Sequence, residues 1–189
     1  MESEEENKII RRILEGNREA FAVLVDKYKG PVFNLVYRMT GNYQETDDLA
    51  QEIFIKVYES LNSFETNRRF FPWLYTIALN IIRNHLKRKK FVSATNVIEH
   101  YSNQEGNDQT DPEAMVGCRQ RSRMLTACIK KLPYSQQEAV TLRYYQCLAF
   151  EDIAEILDIS LSAAKMRVYR GLQKLAEMMN TEKQSDEIK

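Results

Sequence analysis

The residues with the clearest potential for chemistry are basic, and they are concentrated in three blocks. One of these, residues 119–131, holds five Lys or Arg side chains and no acid; the other two lie in recognisable patterns. Residues 161–175 hold four Lys or Arg side chains and no acid, and residues 66–90 hold seven and no acid. Clustered cations of this kind neutralise phosphates, so these blocks are candidate contacts for nucleic acid. The net charge of zero conceals them, because other segments are acidic. Residues 91–118, for example, hold five acids and no Lys or Arg.

The block at 161–175 lies in a pattern typical of a helix-turn-helix. Apolar residues recur at helical spacing and predict the inward face of its second helix, with Ser160 or Ser162 as the N-cap. The opposite face would present Lys and Arg to the major groove of DNA, where they can read base edges. A plain helical hairpin with a solvated basic face is the alternative interpretation. The inward residues are Ala164, Val168, Leu172 and Leu175, and the outward ones are Lys165, Met166, Tyr169, Arg170 and Gln173.

The block at 66–90 joins cations to aromatic rings. Cations neutralise phosphates and exposed rings stack on unpaired bases, so this segment suits single-stranded nucleic acid. The rings could instead be core residues, and we expect at least two of the four to be buried. His85, on the apolar face, is expected to be a packed residue rather than a ligand. The rings are Phe70, Phe71, Trp73 and Tyr75, and the polar face of the following helix is Thr76, Asn80, Arg83, Asn84 and Lys87.

A third candidate surface is acidic and lies on a predicted helix around residues 47–59. With Ala50, Phe54 and Val57 inward, the opposite face exposes an isoleucine among carboxylates, which favours docking on a basic helix of another protein. A solvated acidic face is the ordinary alternative. Acid–base or metal chemistry is disfavoured, because no His lies within reach on this helix. The exposed residues are Asp48, Gln51, Glu52, Ile55 and Glu59.

The elements that position these surfaces are predicted to be helices. Helical periodicity extends through almost all of the chain outside 91–111, and no convincing strand pattern appears. Gly30-Pro31 is expected to start a new helix and Gly41-Asn42 to end it. Residues 93–112 are too long for a loop inside one compact domain. The predicted fold is therefore all-α, with two small helical domains at about 6–90 and 113–180 joined by an acidic flexible linker at 91–112.

Several other classes of protein are disfavoured. The acidic N-terminus is no signal peptide, and the longest apolar stretch, Phe70–Ile82, is too short to cross a bilayer. Three cysteines without metal-ligand spacing indicate a reducing, cytoplasmic protein without a disulfide framework or zinc cluster. No nucleophile–base pair or Gly-rich phosphate loop stands out, so we expect neither an enzyme nor a cofactor nor a small-molecule substrate.

Two ordered motifs resemble those of a known family. The first half holds D-L-x-Q-E-x-F at Asp48–Phe54, then F-x-x-W-L-Y-x-I-A-x-N at Phe70–Asn80 and a basic tail. The second half holds Leu132-Pro133, then I-A-E-I-L at Ile153–Leu157 and K-x-R-x-x-R at Lys165–Arg170. This order resembles bacterial RNA polymerase sigma factors of the extracytoplasmic-function (ECF) type.

The resemblance covers roughly residues 18–90 and 120–177. A stand-alone helix-turn-helix regulator is the alternative, but it leaves the acidic helix and the aromatic–basic segment unexplained. A nucleic-acid enzyme is a third class, without the residues that catalysis needs. Three departures from the family pattern stand at the helix-turn-helix, one of which is Ser162-Ala163-Ala164 in place of a common Gly-Thr-Val. Ala149 replaces the usual Ser or Thr cap, worth about 1 kcal/mol, and Phe150 replaces a frequent Tyr.

The resemblance implies partners and a role for each surface. A region 2 domain would dock on core RNA polymerase at the β′ clamp helices and read the −10 element, and a region 4 domain would read the −35 element and meet the β flap. Promoter DNA is thus implied, and an anti-sigma factor is a further candidate partner. The implied polymerase-binding residues are Asp48, Gln51, Glu52 and Ile55; the −10 residues are Arg68, Arg69, Trp73, Asn80, Arg83, Asn84 and Lys87; the −35 residues are Lys165, Met166, Arg167, Tyr169 and Arg170.

Overall fold

A computed structural model describes residues 2–66, 68–95 and 125–186 of the chain. Every regular element in these ranges is helical, as predicted. None of the helices in them is both long enough and apolar enough to span a membrane. The chain divides into two compact units, Met1–Asn103 and Gln104–Lys189. Most of the predicted linker at 91–112 lies outside the described residues.

Within its described residues, the first unit contains four α-helices and a short 3-10 helix. Helix α2 packs against α1, α3 and α4, and α3 also packs against α4. Full burial of one large apolar side chain contributes about 1.5–3 kcal/mol, and Tyr75, Phe70 and Ile53 are among those buried here. The helices are α1 (Glu2–Leu14), α2 (Ala20–Thr40), α3 (Tyr43–Ser60) and α4 (Phe70–Thr95), and the 3-10 helix is Leu61–Ser63.

The predicted helix start at Gly30-Pro31 is wrong, because α2 continues through Pro31 to Thr40. A proline inside a helix removes one backbone hydrogen bond and costs about 3 kcal/mol. Tyr28 on one side of it, and Val32 and Leu35 on the other, are all buried in the core. This packing holds both halves of α2 in one helix despite the proline.

The predicted boundary at Gly41-Asn42 is confirmed. Gly41 ends α2 in the left-handed conformation, with φ 66°. The Asn42 side chain then accepts hydrogen bonds from the backbone N–H groups of Gln44 (3.0 Å) and Glu45 (3.4 Å) and donates one to the Glu45 carboxylate (2.8 Å). This reciprocal cap satisfies donors at the start of α3 and fixes which faces of α3 point outward.

The inward face of α3 is rotated from the predicted one. Val57 is buried as expected, but Ala50 and Phe54 are only half-buried, and the buried stripe runs through Leu49 and Ile53. The reason is that α3 packs against two helices, α2 and α4. Its buried stripe therefore follows the line between them, and Ala50 and Phe54 lie at the side that faces α2.

The second unit contains helical residues 125–131 (α5), α6 (Tyr134–Tyr144), α7 (Phe150–Leu157) and α8 (Leu161–Asp186). Helix α6 is its centre, since six consecutive residues, 137–142, are buried. Helix α8 crosses α6 at Gly171, where an added Cβ would lie only 2.6 Å from Val140 Cγ2. Only glycine permits this close approach of the two helices.

One predicted core position of α8 is wrong. Ala164, Val168 and Leu175 are buried as predicted, but Leu172 is 37% exposed and Gly171 takes its place in the interface. Positions 164, 168, 171 and 175 follow the 3.6-residue helical repeat. A prediction based on large apolar side chains omits the glycine and assigns its neighbour, Leu172, to the interface instead.

Candidate nucleic-acid and protein interfaces

Helices α7 and α8 form the predicted helix-turn-helix. Asp158 adopts a left-handed conformation, with φ 51°, at the end of α7. Ser160 Oγ accepts a hydrogen bond from the Ala163 N–H (3.2 Å), which makes Ser160 the cap of α8. At the start of α7, Ala149 makes no side-chain capping bond, as its side chain predicts. The start of α8 therefore has a side-chain cap, whereas the start of α7 has none.

The predicted DNA face of α8 is open to solvent. Lys165 and Arg170 are exposed, and Tyr169 and Met166 expose 64% and 43% of their surface. Arg167 is half-buried beside them. No acid lies between positions 161 and 175, so this face combines hydrogen-bond donors with cations and suits the major groove of duplex DNA.

Phe150 brings two cations to the start of this face. The Arg143 guanidinium lies 4.8 Å from the centre of the Phe150 ring, and the Lys165 ammonium lies 5.9 Å from it. Arg143 is held in place by a hydrogen bond from Nη1 to the Leu148 carbonyl (2.7 Å). Arg143 was not predicted as a site residue. Its position near Lys165 depends on how α6 packs against α7, and the spacing of residues along the sequence does not indicate this packing.

The predicted −10 face of α4 is exposed at three positions and half-buried at two. Asn80, Asn84 and Lys87 are exposed. Arg83 is half-buried and donates a hydrogen bond to Asn80 Oδ1 (3.2 Å). Thr76 is half-buried as well, and its hydroxyl donates to the Pro72 carbonyl of its own helix (2.9 Å).

The aromatic rings at the start of α4 are divided between core and surface. Phe70 and Tyr75 are buried, which confirms that at least two of the four rings are core residues. Burial raises the pKa of Tyr75, so its hydroxyl stays protonated. Trp73 is half-buried, with its ring 5.1 Å from that of Phe64. Trp73 and Phe71 keep partly open surfaces, and the exposed Arg68 and Arg69 precede them.

Glu45 connects the beginning of α3 to the second half of α4. Its carboxylate lies 2.9 Å from His85 Nε2 and 2.5 Å from Lys89 Nζ. Partial burial acts to raise its pKa, but the hydrogen bonds and charges of Lys89 and His85 outweigh burial and lower the pKa below its ordinary value. His85 is thus half-buried and packed, as predicted, and Lys89, one helical turn later on the same side of α4, shares its carboxylate partner.

The predicted docking face of α3 is exposed at all four positions: Asp48, Gln51, Glu52 and Ile55. Within the described ranges, Asp48 and Glu52 have no ion-pair partner. Unpaired carboxylates around an isoleucine that is 59% exposed are the chemistry that a basic helix would complement.

An apolar groove of about 690 Å³ lies between α2 and α3, beside this face. It explains why Ala50 and Phe54 are only half-buried: both line the groove instead of filling the core. The groove was not predicted, because Gly30-Pro31 was interpreted as a helix boundary. The apolar and small residues that line it are Val25, Gly30 and Phe33 on α2 and Ala50, Phe54 and Ile55 on α3.

The chain belongs to the sigma-70 family of RNA polymerase subunits: residues 24–92 match Sigma-70 region 2, and residues 122–175 match Sigma-70, region 4. Within that family it is a sigma factor of the ECF type, which directs transcription initiation at promoters and is not an enzyme. The ECF RNA polymerase sigma factor SigW of Bacillus subtilis (strain 168) is 36% identical over 91% of this chain and 95% of its own length. The ECF RNA polymerase sigma-E factor of Escherichia coli (strain K12) is 31% identical over 86% of this chain and 88% of its own.

Solved structures share the fold. The structure of CnrH in complex with the cytosolic domain of CnrY matches with a TM-score of 0.68 at 21% identity, covering 93% of this chain and 97% of that one. The sigma factor RpoE from Bartonella quintana, in complex with the anti-sigma factor NepR, matches with a TM-score of 0.69 at 20% identity, covering 85% and 96%. The predicted all-α fold of two helical domains is confirmed.

Proposed function

We propose that three exposed faces of this sigma factor, on α3, α4 and α8, each make a different contact during transcription initiation. The observation that carries the proposal is their electrostatic separation: the face of α3 has unpaired carboxylates, and the faces of α4 and α8 have cations without acids. The acidic face suits a basic protein helix, and the basic faces suit DNA. We propose residues 6–90 and 113–180 as the two working domains, which act in the cytoplasm with the polymerase.

The α3 face is the proposed contact with the β′ clamp helices of core polymerase. Asp48 and Glu52 lie one helical turn apart, so both can meet basic side chains on one partner helix. Gln51 supplies hydrogen bonds and Ile55 an apolar contact between them. This arrangement gives fast, oriented association, because surface carboxylates attract a basic partner over a Debye length.

The α4 face is the proposed reader of the unpaired −10 strand. Asn80 and Asn84 carry amides that can bond base edges, whereas Arg83, Lys87, Arg68 and Arg69 neutralise phosphates. Trp73 offers the open part of its ring for stacking, which is worth about 1–3 kcal/mol per base. Opening roughly ten base-pair steps costs on the order of 14 kcal/mol at about 1.4 kcal/mol per step. Two captured bases therefore cannot melt a promoter alone, and the polymerase must contribute the rest.

The α8 face is the proposed reader of the duplex −35 element. Lys165 and Arg170 can bond guanine edges, and Met166 and Tyr169 provide apolar contacts with thymine methyl groups. Arg167, half-buried at the side of this face, is the proposed contact with a backbone phosphate. We also propose that the same domain meets the β flap, and that an anti-sigma factor is a partner; similar sigma folds have been solved bound to anti-sigma proteins.

The docking proposal is tested by reversing the charge of the α3 face. The double variant Asp48→Lys, Glu52→Lys should keep its helical circular dichroism, because both positions are solvent-exposed. It should lose binding to core polymerase, because the new lysines would repel a basic partner helix. The matched control, Glu15→Lys with Glu19→Lys, changes the net charge equally at two exposed acids of the first unit that lie outside α3, and it should bind normally. Unimpaired polymerase binding by a folded double variant would reject this surface.

A further inference from the structure

The groove between α2 and α3 places apolar surface directly beside the acidic face. Phe33 lines it from α2 and Phe54 from α3, while Ile55 belongs both to the groove and to the exposed face. Its volume of about 690 Å³ falls within the range of about 300–1,000 Å³ that is usual for binding pockets. Because Ile55 is shared, the groove and the acidic face form one continuous surface, and one partner can contact both.

Gly30 leaves part of this groove unfilled. It lines the groove, and a Cβ added to it would meet no atom within 4 Å. Glycine inside a helix is less favourable than alanine by about 0.5–1 kcal/mol, and packing does not require it here, in contrast to Gly171. A side chain at position 30 would extend into the groove, so its absence leaves room for an atom group from outside.

The charges around the groove define what fits it. Asp47 lines the groove, and Asp48 and Glu52 lie on the exposed face of the same helix. None of these three makes an ion pair within the described part of the chain, whereas Lys29 on the α2 side is already paired with Asp26 (2.7 Å). A negative rim beside an apolar lining complements an apolar side chain that is flanked by Lys or Arg on a helix.

We infer that the groove receives an apolar anchor side chain from the same basic polymerase helix that meets Asp48 and Glu52. The inference rests on the proposed function of the α3 face and extends it by giving the carboxylates and the groove different roles in binding. The carboxylates attract and align the partner, which governs the association rate and its salt dependence. The groove removes the anchor from water, and such buried anchors account for much of the affinity of protein interfaces. Gly30, Phe33 and Phe54 are then specificity-determining residues for polymerase binding.

The test is to fill the groove without changing any charge. Gly30→Leu should reduce the affinity of the full chain for core polymerase at least tenfold, with an unchanged slope of log affinity against log salt. Ala22→Leu is the matched control and should bind as the wild type does, because it adds the same leucine at an exposed position of α2 that does not line the groove. Asn34→Leu fills the groove from the next turn of α2 and provides the same test if Gly30→Leu loses its cooperative thermal transition.

A carboxylate variant separates this inference from the docking proposal on which it rests. Asp48→Asn with Glu52→Gln should slow association and flatten the salt slope while leaving the groove intact. If this pair weakens binding but neither leucine variant does, the docking face stands and the groove inference is rejected. If the carboxylate pair also binds normally, the docking face itself is rejected. A leucine variant that alters only self-association of the chain would assign the groove to a second copy and overturn the inference.

Discussion

Helices α4 and α8 have the same length, 26 residues, and both present a basic face, yet their surroundings differ in kind. Helix α4 has Asn80 and Asn84 on its exposed face and half-buried rings at its beginning. Helix α8 exposes Tyr169 and Met166 and is held close to α6 at Gly171. Amides and rings suit bases that have left the duplex, whereas a rigidly placed helix suits stacked base edges. Positive charge alone does not define what either helix reads.

The largest expected effect separates the two units. Gly171→Leu should destabilise the second unit by about 3 kcal/mol, because overpacking a tight helix crossing forces the helices apart. Binding to duplex −35 DNA should fall with it, while binding of the first unit to core polymerase persists. Thermal unfolding of the full chain gives the stability. Leu172→Ala is the control and should change stability little, because Leu172 is 37% exposed.

The next effect concerns recognition by α8. Arg170→Ala should reduce discrimination between −35 variants by about 1–3 kcal/mol, the value of one bidentate contact with guanine. Recognition of the −10 strand should not change, because Arg170 lies in the other unit. Competition between promoter variants for holoenzyme measures both. Equal loss at both elements would mean that the two helices do not act separately.

A smaller effect is expected at Phe150. Phe150→Leu removes the ring beside Arg143 and Lys165 and should weaken −35 binding by about 0.5–1 kcal/mol, the usual value of an exposed cation–π contact. Phe150→Tyr keeps the ring and should bind at least as well as wild type. Duplex binding by holoenzyme distinguishes these variants, and similar losses in both would exclude a role for the ring itself.

The smallest expected effect is the acid sensitivity of the first unit. Because the pKa of Glu45 is lowered in the folded protein, its ionised bridge to His85 and Lys89 stabilises the fold above the ordinary pKa of 4.5. This contribution is lost as pH falls from there through the lowered value. Glu45→Gln should flatten that acid limb of the stability curve, measured by denaturation across pH. Glu59→Gln, at an exposed pair, is the matched control.

The sequence predicted the helices and their outward faces better than their contacts. Exposed side chains at Asp48, Asn80 and Tyr169 follow from the helical repeat once one face is known to be apolar. Pro31 was misleading because tertiary packing outweighs its local cost. Gly171 and the α2–α3 groove could not be predicted from periodicity, since a glycine has no hydrophobic signal and a groove depends on how far apart two helices lie. The particular partners and promoter elements assigned to these residues come from the family resemblance and stay predictions.

The most direct test of the separate roles of α4 and α8 is binding of holoenzyme to −10 oligonucleotides, single- and double-stranded, across a salt series. The wild type should prefer the non-template single strand. Alanine at Asn80 and Asn84 should abolish sequence preference and keep the salt slope, whereas alanine at Arg83 and Lys87 should weaken every sequence and flatten the slope by roughly one unit per lost phosphate contact. Equal affinity for single and double strands, with no effect of the asparagines on sequence preference, would contradict the account and leave α4 as an electrostatic clamp.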